Sequence, residues 1–166
     1  MFSNINHLLV SVAEKWLKFL GWQFQTEIKS SADKFFEVFS SKVYLIPQIC
    51  PDRVKSIQLL EGDWNSFGSV KLWTYVAVRD SESAKEKLEA IDEQNKSITF
   101  NVLQGELMMN YKIFKFSFQV SGNGDGSLVN WALEYEKQNE GVPDPDKYQE
   151  IVVHVTKQID AYLLKA

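Results

Sequence analysis

The spacing of hydrophobic positions changes along this chain. In "NYKIFKFSFQV" (residues 110–120), Phe114, Phe116, Phe118 and Val120 fall on one face, with Lys115, Ser117 and Gln119 on the other. A period of two is that of a strand with one buried face. "LVNWALEYEK" repeats the pattern with Val129, Trp131, Leu133 and Tyr135. "SGNGDGS" between these two segments reads as a hairpin turn in which two glycines supply positive φ. "WQFQTEIK", "DRVKSIQLLE", "GSVKLWTYVAV" and "SITFNVLQG" read as further strands, bounded by turn residues. "SESAKEKLEAIDEQNK" is rich in strong helix formers. It nevertheless lies between two clear strands and ends in "DEQNK", a tight turn, so context predicts a strand. That makes seven strands.

Helical spacing occupies the remainder. Ser30 or Ser31 can cap a short helix whose apolar face is Phe35, Phe36 and Phe39. "VYLIPQICP" is a second short helical or turning piece, stopped by Pro47 and Pro51. From Pro145 onward, Tyr148, Ile151, Val152, Val155, Ile159 and Leu163 form a stripe along one long helix. Each strand has one apolar face to cover. A curved antiparallel sheet gripping the long helix is therefore the expected packing, an α+β fold.

At the other end, Leu8, Leu9, Val12, Trp16, Phe19 and Leu20 share one helical face, opposite Ser11, Glu14, Lys15 and Lys18. These charges interrupt the apolar run and no basic leading region precedes it, which argues against a signal peptide. The segment reads as an amphipathic helix that needs a partner: the domain itself, a second copy or a membrane surface. Antiparallel self-pairing would bring Glu14 and Lys15 near their mates and make a homodimer. The chain thus divides into an extra helix over residues 1–19 and a domain over residues 20–166.

Composition narrows the function classes. Eleven Phe, six Tyr and five Trp either fill a core or line a cavity for flat apolar molecules. A net charge of −4 with scattered basic residues predicts no nucleic-acid partner. No apolar run reaches the length of a membrane span. A single cysteine, Cys50, excludes an intrachain disulfide and agrees with a reducing, cytoplasmic setting. Between Ile49 and Pro51 it reads as a buried structural thiol. Two distant histidines, His7 and His154, offer no metal-ligand spacing, and no metal or cofactor is expected. His7 reads as a solvated residue of the first helix, and His154 as half of an exposed i,i+4 pair with Glu150.

"EGDWNSFGSVKLWTY" (residues 61–75) has the outline of a phosphate-cradling glycine loop. Such a loop needs a helix behind it, with its N-terminus facing the phosphates. Here a strand follows, and Lys71 is followed by Leu72 rather than Ser or Thr. The segment is a glycine hairpin between strands.

This loop, together with "IDEQNKSITFNVLQGELMMNYKIF" and "SLVNWALEYEK…PDPDKYQEIV", resembles the plant major latex protein family. That family belongs to the superfamily of birch pollen allergen and the pathogenesis-related class-ten proteins. The resemblance covers about residues 20 to 166, with "Gln104-Gly105-Glu106" matching the family's "EG" signature after the fifth strand. The loop carries fewer glycines than in class-ten proteins, and residues 1–19 fall outside the resemblance. It implies a helix-grip fold: seven strands curved around the C-terminal helix, two short helices in a V, and a large apolar cavity between. Members bind steroids, flavonoids, cytokinins or alkaloid-type molecules, some in defence or stress responses. A few, such as norcoclaurine synthase, are enzymes.

Matched strand by strand, the resemblance points Lys71, Trp73 and Tyr75 into the concave face, and Ile98, Phe100 and Val102 beside them. Phe114, Phe116 and Phe118, with Trp131, Leu133 and Tyr135, point inward on alternation as well. Ile151, Val152 and Val155 line the helix side. Plain core packing is the competing reading for every one of them. Lys71 is the candidate for chemistry. A buried ammonium with a lowered pKa can act as a base or imine former, anchor a ligand oxygen, or extend its head to solvent. Glu106, Asp92 and Glu93 flank turns and read as surface charges. The resulting reading is a carrier or sensor of an apolar plant metabolite. Its alternative is a cofactor-free isomerase, cyclase or lyase using Lys71 with Tyr75 or Tyr135.

Overall fold

Alternating side chains build one antiparallel sheet. The computed structural model describes residues 20–165. The amphipathic helix expected over residues 1–19, the domain boundary behind it and the self-pairing built on it lie outside the described residues. The strands are β1 (Leu20–Ile28), β2 (Val54–Glu61), β3 (Val70–Ala77), β4 (Asp80–Asp92), β5 (Ser97–Gly105), β6 (Tyr111–Asn123) and β7 (Gly126–Lys137). Their order is β1-β7-β6-β5-β4-β3-β2, so β1 and β2 are the edges. Register shifts interrupt β2–β3, β4–β5 and β6–β7. Such irregularities bend the sheet and give it a concave side.

Among the described residues three helices accompany the sheet: α1 (Ala32–Ser40), α2 (Ile46–Ile49) and α3 (Asp146–Lys165), with short 3₁₀ turns at Val43–Leu45 and Glu106–Met109. Ser31 starts α1, its hydroxyl accepting from the Lys34 N–H at 3.3 Å. Of the apolar stripe expected on helix α3, Tyr148, Val155 and Ile159 are buried, while Ile151, Val152 and Leu163 are half-buried. Its position is held by Asp160, whose carboxylate accepts from the backbone N–H groups of Lys29 and Ser30 and from the Ser30 hydroxyl at 2.6 Å.

The helix-forming segment "SESAKEKLEAID" is strand β4, as its context predicts. Pairing with both β3 and β5 satisfies its backbone on two sides, which outweighs a preference of tenths of a kcal/mol per residue. The loop of residues 62–69 joins β2 to β3 as a hairpin, with Gly62 and Gly68 at φ 76° and 83°. In the β6–β7 turn only Gly124 takes positive φ, not two glycines: β6 continues to Asn123 and β7 starts at Gly126, leaving a two-residue turn. His154 bonds Asp52 at 2.9 Å, while Glu150 takes Arg53. The residues leading into β2 thus run beside α3 and offer each side chain a partner off its own helix, so the expected His154–Glu150 pair is not made.

Candidate functional site

Between the concave sheet and α3 lies a cavity of about 100 Å³. The sheet supplies Trp73 and Tyr75 from β3, Phe100 from β5, Phe116 from β6 and Trp131 from β7. Helix α3 supplies Tyr148, Ile151, Val152 and Val155, and Phe39 closes one side from α1. Several of these rings are held by others: Phe39 meets Trp131 edge-on at 5.6 Å and Phe118 at 5.0 Å, and Tyr148 meets Phe114 edge-on at 5.4 Å. Such contacts keep a cavity open by fixing its walls.

The candidate residues separate into three groups, with Lys71 apart from them. Trp73, Tyr75, Phe100, Phe116, Trp131, Ile151, Val152 and Val155 reach the cavity. Ile98 and Phe118 pack instead with the cluster around α1. Val102, Phe114, Leu133 and Tyr135 pack with Tyr111 and Tyr148 at the other end of the sheet. Lys71 is 3% exposed, so its head does not extend to solvent. Its ammonium donates to the Ser69 hydroxyl at 3.0 Å, and Lys71 stands off the cavity wall. Burial lowers its pKa, against the raising influence of Glu86. The three residues of the isomerase reading do not converge. Only Tyr75 is on the wall, and its hydroxyl donates to Glu82 at 3.2 Å.

Sequence reasoning missed the two buried carboxyls of β4, Glu82 and Glu86. Tyr75 lies opposite Glu82, Trp73 opposite Ala84 and Lys71 opposite Glu86, all on the concave face. Glu82, 7% exposed, accepts from the hydroxyls of Tyr75 and Tyr148 (2.8 Å) and from the Lys147 ammonium at 3.0 Å. Burial pushes both tyrosine pKa values up, and the neighbouring carboxylate adds to the shift. Glu86 is 8% exposed, and the Lys71 opposite donates to the Ser69 hydroxyl. Burial raises the Glu86 pKa to about 8; the Lys71 charge and the nearby Trp73 N–H only partly counter this. The signal was present in the sequence. Once β4 is a strand, Glu82, Ala84, Glu86 and Leu88 share one face, and Leu88 says which face is buried.

Cys50 is fully buried, and burial pushes its thiol up to about 12, which leaves it inert. Among the described residues no helix is long and apolar enough to cross a membrane.

Known proteins match this architecture. The model of the pathogenesis-related protein Bet v 1 family matches residues 22–166. MLP-like protein 34 of Arabidopsis thaliana is 42% identical over 142 residues, covering 84% of this chain. The chain spans only 45% of that relative's length. The crystal structure of ginseng major latex-like protein 151 from Panax ginseng superposes with a TM-score of 0.85 at 38% identity, covering 89% of this chain and 99% of that one. Norcoclaurine synthase from Thalictrum flavum superposes at a TM-score of 0.73 and 18% identity, a likeness of fold alone.

Proposed function

Because this chain belongs to the pathogenesis-related Bet v 1 family, with major latex proteins among its relatives, we propose that it binds a small apolar molecule between its sheet and α3. The observation that carries this reading is the cavity, walled mainly by rings and aliphatic side chains. Its size limits the occupant. An apolar cavity of roughly 150 Å³ can take benzene, so about 100 Å³ admits at most one small ring at rest. A steroid or flavonoid enters only if the half-buried Trp73, Phe116, Ile151 and Val152 move aside. The protein is then a carrier or sensor of a plant metabolite, in keeping with a defence or stress role, rather than an isomerase or cyclase.

Native mass spectrometry of protein isolated from its source tissue tests this. The expected result is a retained small molecule, released on denaturation. Ala84 lines the cavity and is 4% exposed. Ala84→Phe should occupy the space and carry no such molecule. Wild-type protein that retains nothing and takes up no toluene contradicts the proposal.

A further inference from the structure

The turn between β6 and β7 carries a chemistry unrelated to the cavity. Asn123 is followed by Gly124, the one Asn-Gly pair in the chain. Asn123 closes β6 and pairs with Gly126 on β7, so Gly124 and Asp125 alone form the turn. Asn123, Gly124 and Asp125 are all exposed. Gly124 has φ 62°, and a Cβ built on it would meet nothing within 4 Å. Among the described residues no backbone carbonyl accepts from its N–H. The Asn123 side chain therefore stands next to a backbone nitrogen that is neither bonded nor screened by a side chain. Other exposed asparagines differ. Asn95 precedes Lys96 and holds its side chain on Asp92, and Asn139 precedes Glu140 and accepts from the Gly141 N–H at 2.9 Å.

We propose that Asn123 is a site of spontaneous deamidation, and that the isoaspartyl chain it yields is a substrate for an S-adenosylmethionine-dependent isoaspartate methyltransferase. The Gly124 nitrogen gives its proton to solvent and bonds to the Asn123 side-chain carbon Cγ. The bond from Cγ to the side-chain nitrogen breaks, and that nitrogen takes up a proton and leaves as ammonia. Water then opens the five-membered imide. Breaking the bond from nitrogen to Cγ gives aspartate. Breaking the bond from nitrogen to the backbone carbonyl carbon gives isoaspartate, whose chain runs on through Cβ and Cγ. The net reaction takes up one water and releases one ammonia. Isoaspartate leaves a free α-carboxylate at an exposed hairpin tip, where an enzyme can reach it. There the methyl group passes from the sulfonium of S-adenosylmethionine to a carboxylate oxygen, leaving S-adenosylhomocysteine, and the ester returns to the imide with loss of methanol. The last rung of a ladder frays, which gives the ring closure its freedom. Asp125 also precedes a glycine, but Gly126 is held in the ladder, and a Cβ there would collide with the Ile28 carbonyl oxygen. Ring closure at Asp125 is hindered by that crowding. The modified turn lies beside a buried tie, since the Ser127 hydroxyl donates to the Ser30 carbonyl at 2.8 Å.

Incubating the folded full chain in warm, mildly alkaline buffer tests this, with a urea-unfolded sample alongside. Peptide mass mapping should show Asn123 converting in the folded protein at a rate of the same order as in the unfolded one, while Asn95 and Asn139 stay intact. Methyl acceptance from labelled S-adenosylmethionine, with a purified isoaspartate methyltransferase, should rise in step. Asn123→Gln is a surface change that leaves the turn in place, and it should abolish both signals, because glutamine closes only a larger and slower ring. Conversion confined to the unfolded sample would mean that the hairpin protects Asn123, and overturns the proposal. Conversion without methyl acceptance overturns the methyltransferase step. Methyl acceptance that persists in Asn123→Gln overturns the assignment to Asn123.

Discussion

Glu86→Gln should make the protein more stable by about 3 kcal/mol at pH 7 and leave it unchanged near pH 4.5. The folded protein holds this carboxyl protonated up to about pH 8, whereas the unfolded chain releases the proton near its ordinary value of 4.5. Between those values the folded state binds more protons, so stability falls as pH rises. Each pH unit across that window costs about 1.4 kcal/mol, and the interval from 4.5 to 7 sums to about 3. Gln keeps the size and polarity of the protonated carboxyl and has no proton to release, so the penalty disappears. Urea unfolding of both proteins at several pH values measures the difference. A gap that does not grow between pH 4.5 and 7 would show that Glu86 is ionised in the folded state. A buried group that destabilises its own fold is a reason to look for a ligand that uses it.

Gly105→Ala should lose more than about 3 kcal/mol, enough to prevent folding at moderate temperature. Gly105 ends β5 at φ 136°, a conformation that L side chains avoid. A Cβ there would collide with the Ser83 carbonyl oxygen and come within 3.0 Å of the Ala84 Cα. Both neighbours are backbone of β4 and have no room to yield. The turn that Gly105 makes also places Glu106, whose carboxylate accepts from the Ser83 N–H at 2.8 Å, and starts the 3₁₀ turn that carries Leu107 to the cavity. Reading Glu106 as a free surface charge therefore undervalues it. Thermal unfolding of Gly105→Ala within a few degrees of wild type would contradict this account.

Alternation along β6 and β7 was enough to show which side chains face inward, and the stripe on α3 was enough to show what covers them. Alternation does not show where the core is full. Phe114 and Phe116 obey the same rule on the same strand, yet Phe114 is fully buried among Tyr111 and Tyr148 while Phe116 reaches the cavity. The difference depends on where α3 crosses the sheet, a tertiary distance that no strand pattern records. Lys71 was legible as an inward lysine only through the family resemblance, and its Ser69 partner follows two residues earlier on the same face. Glu82 and Glu86 were overlooked for a different reason. Acidic residues in a segment of helix formers read as solvated charges, although the strand assignment already made there turns them inward. The His154 pairing went wrong because helical spacing describes only partners on the same helix, whereas Asp52 comes from the chain crossing beside it.

The central claim is an apolar cavity that takes up a small molecule, and an NMR titration with toluene tests it most directly. In wild-type protein, toluene should shift the amide and side-chain signals of Trp73, Phe100, Phe116, Ile151 and Val155 together, along one saturating curve. Ala84→Phe, folded but filled, should show no such shifts. No saturable shift at these residues in the wild type, or equal shifts in both proteins, would contradict it.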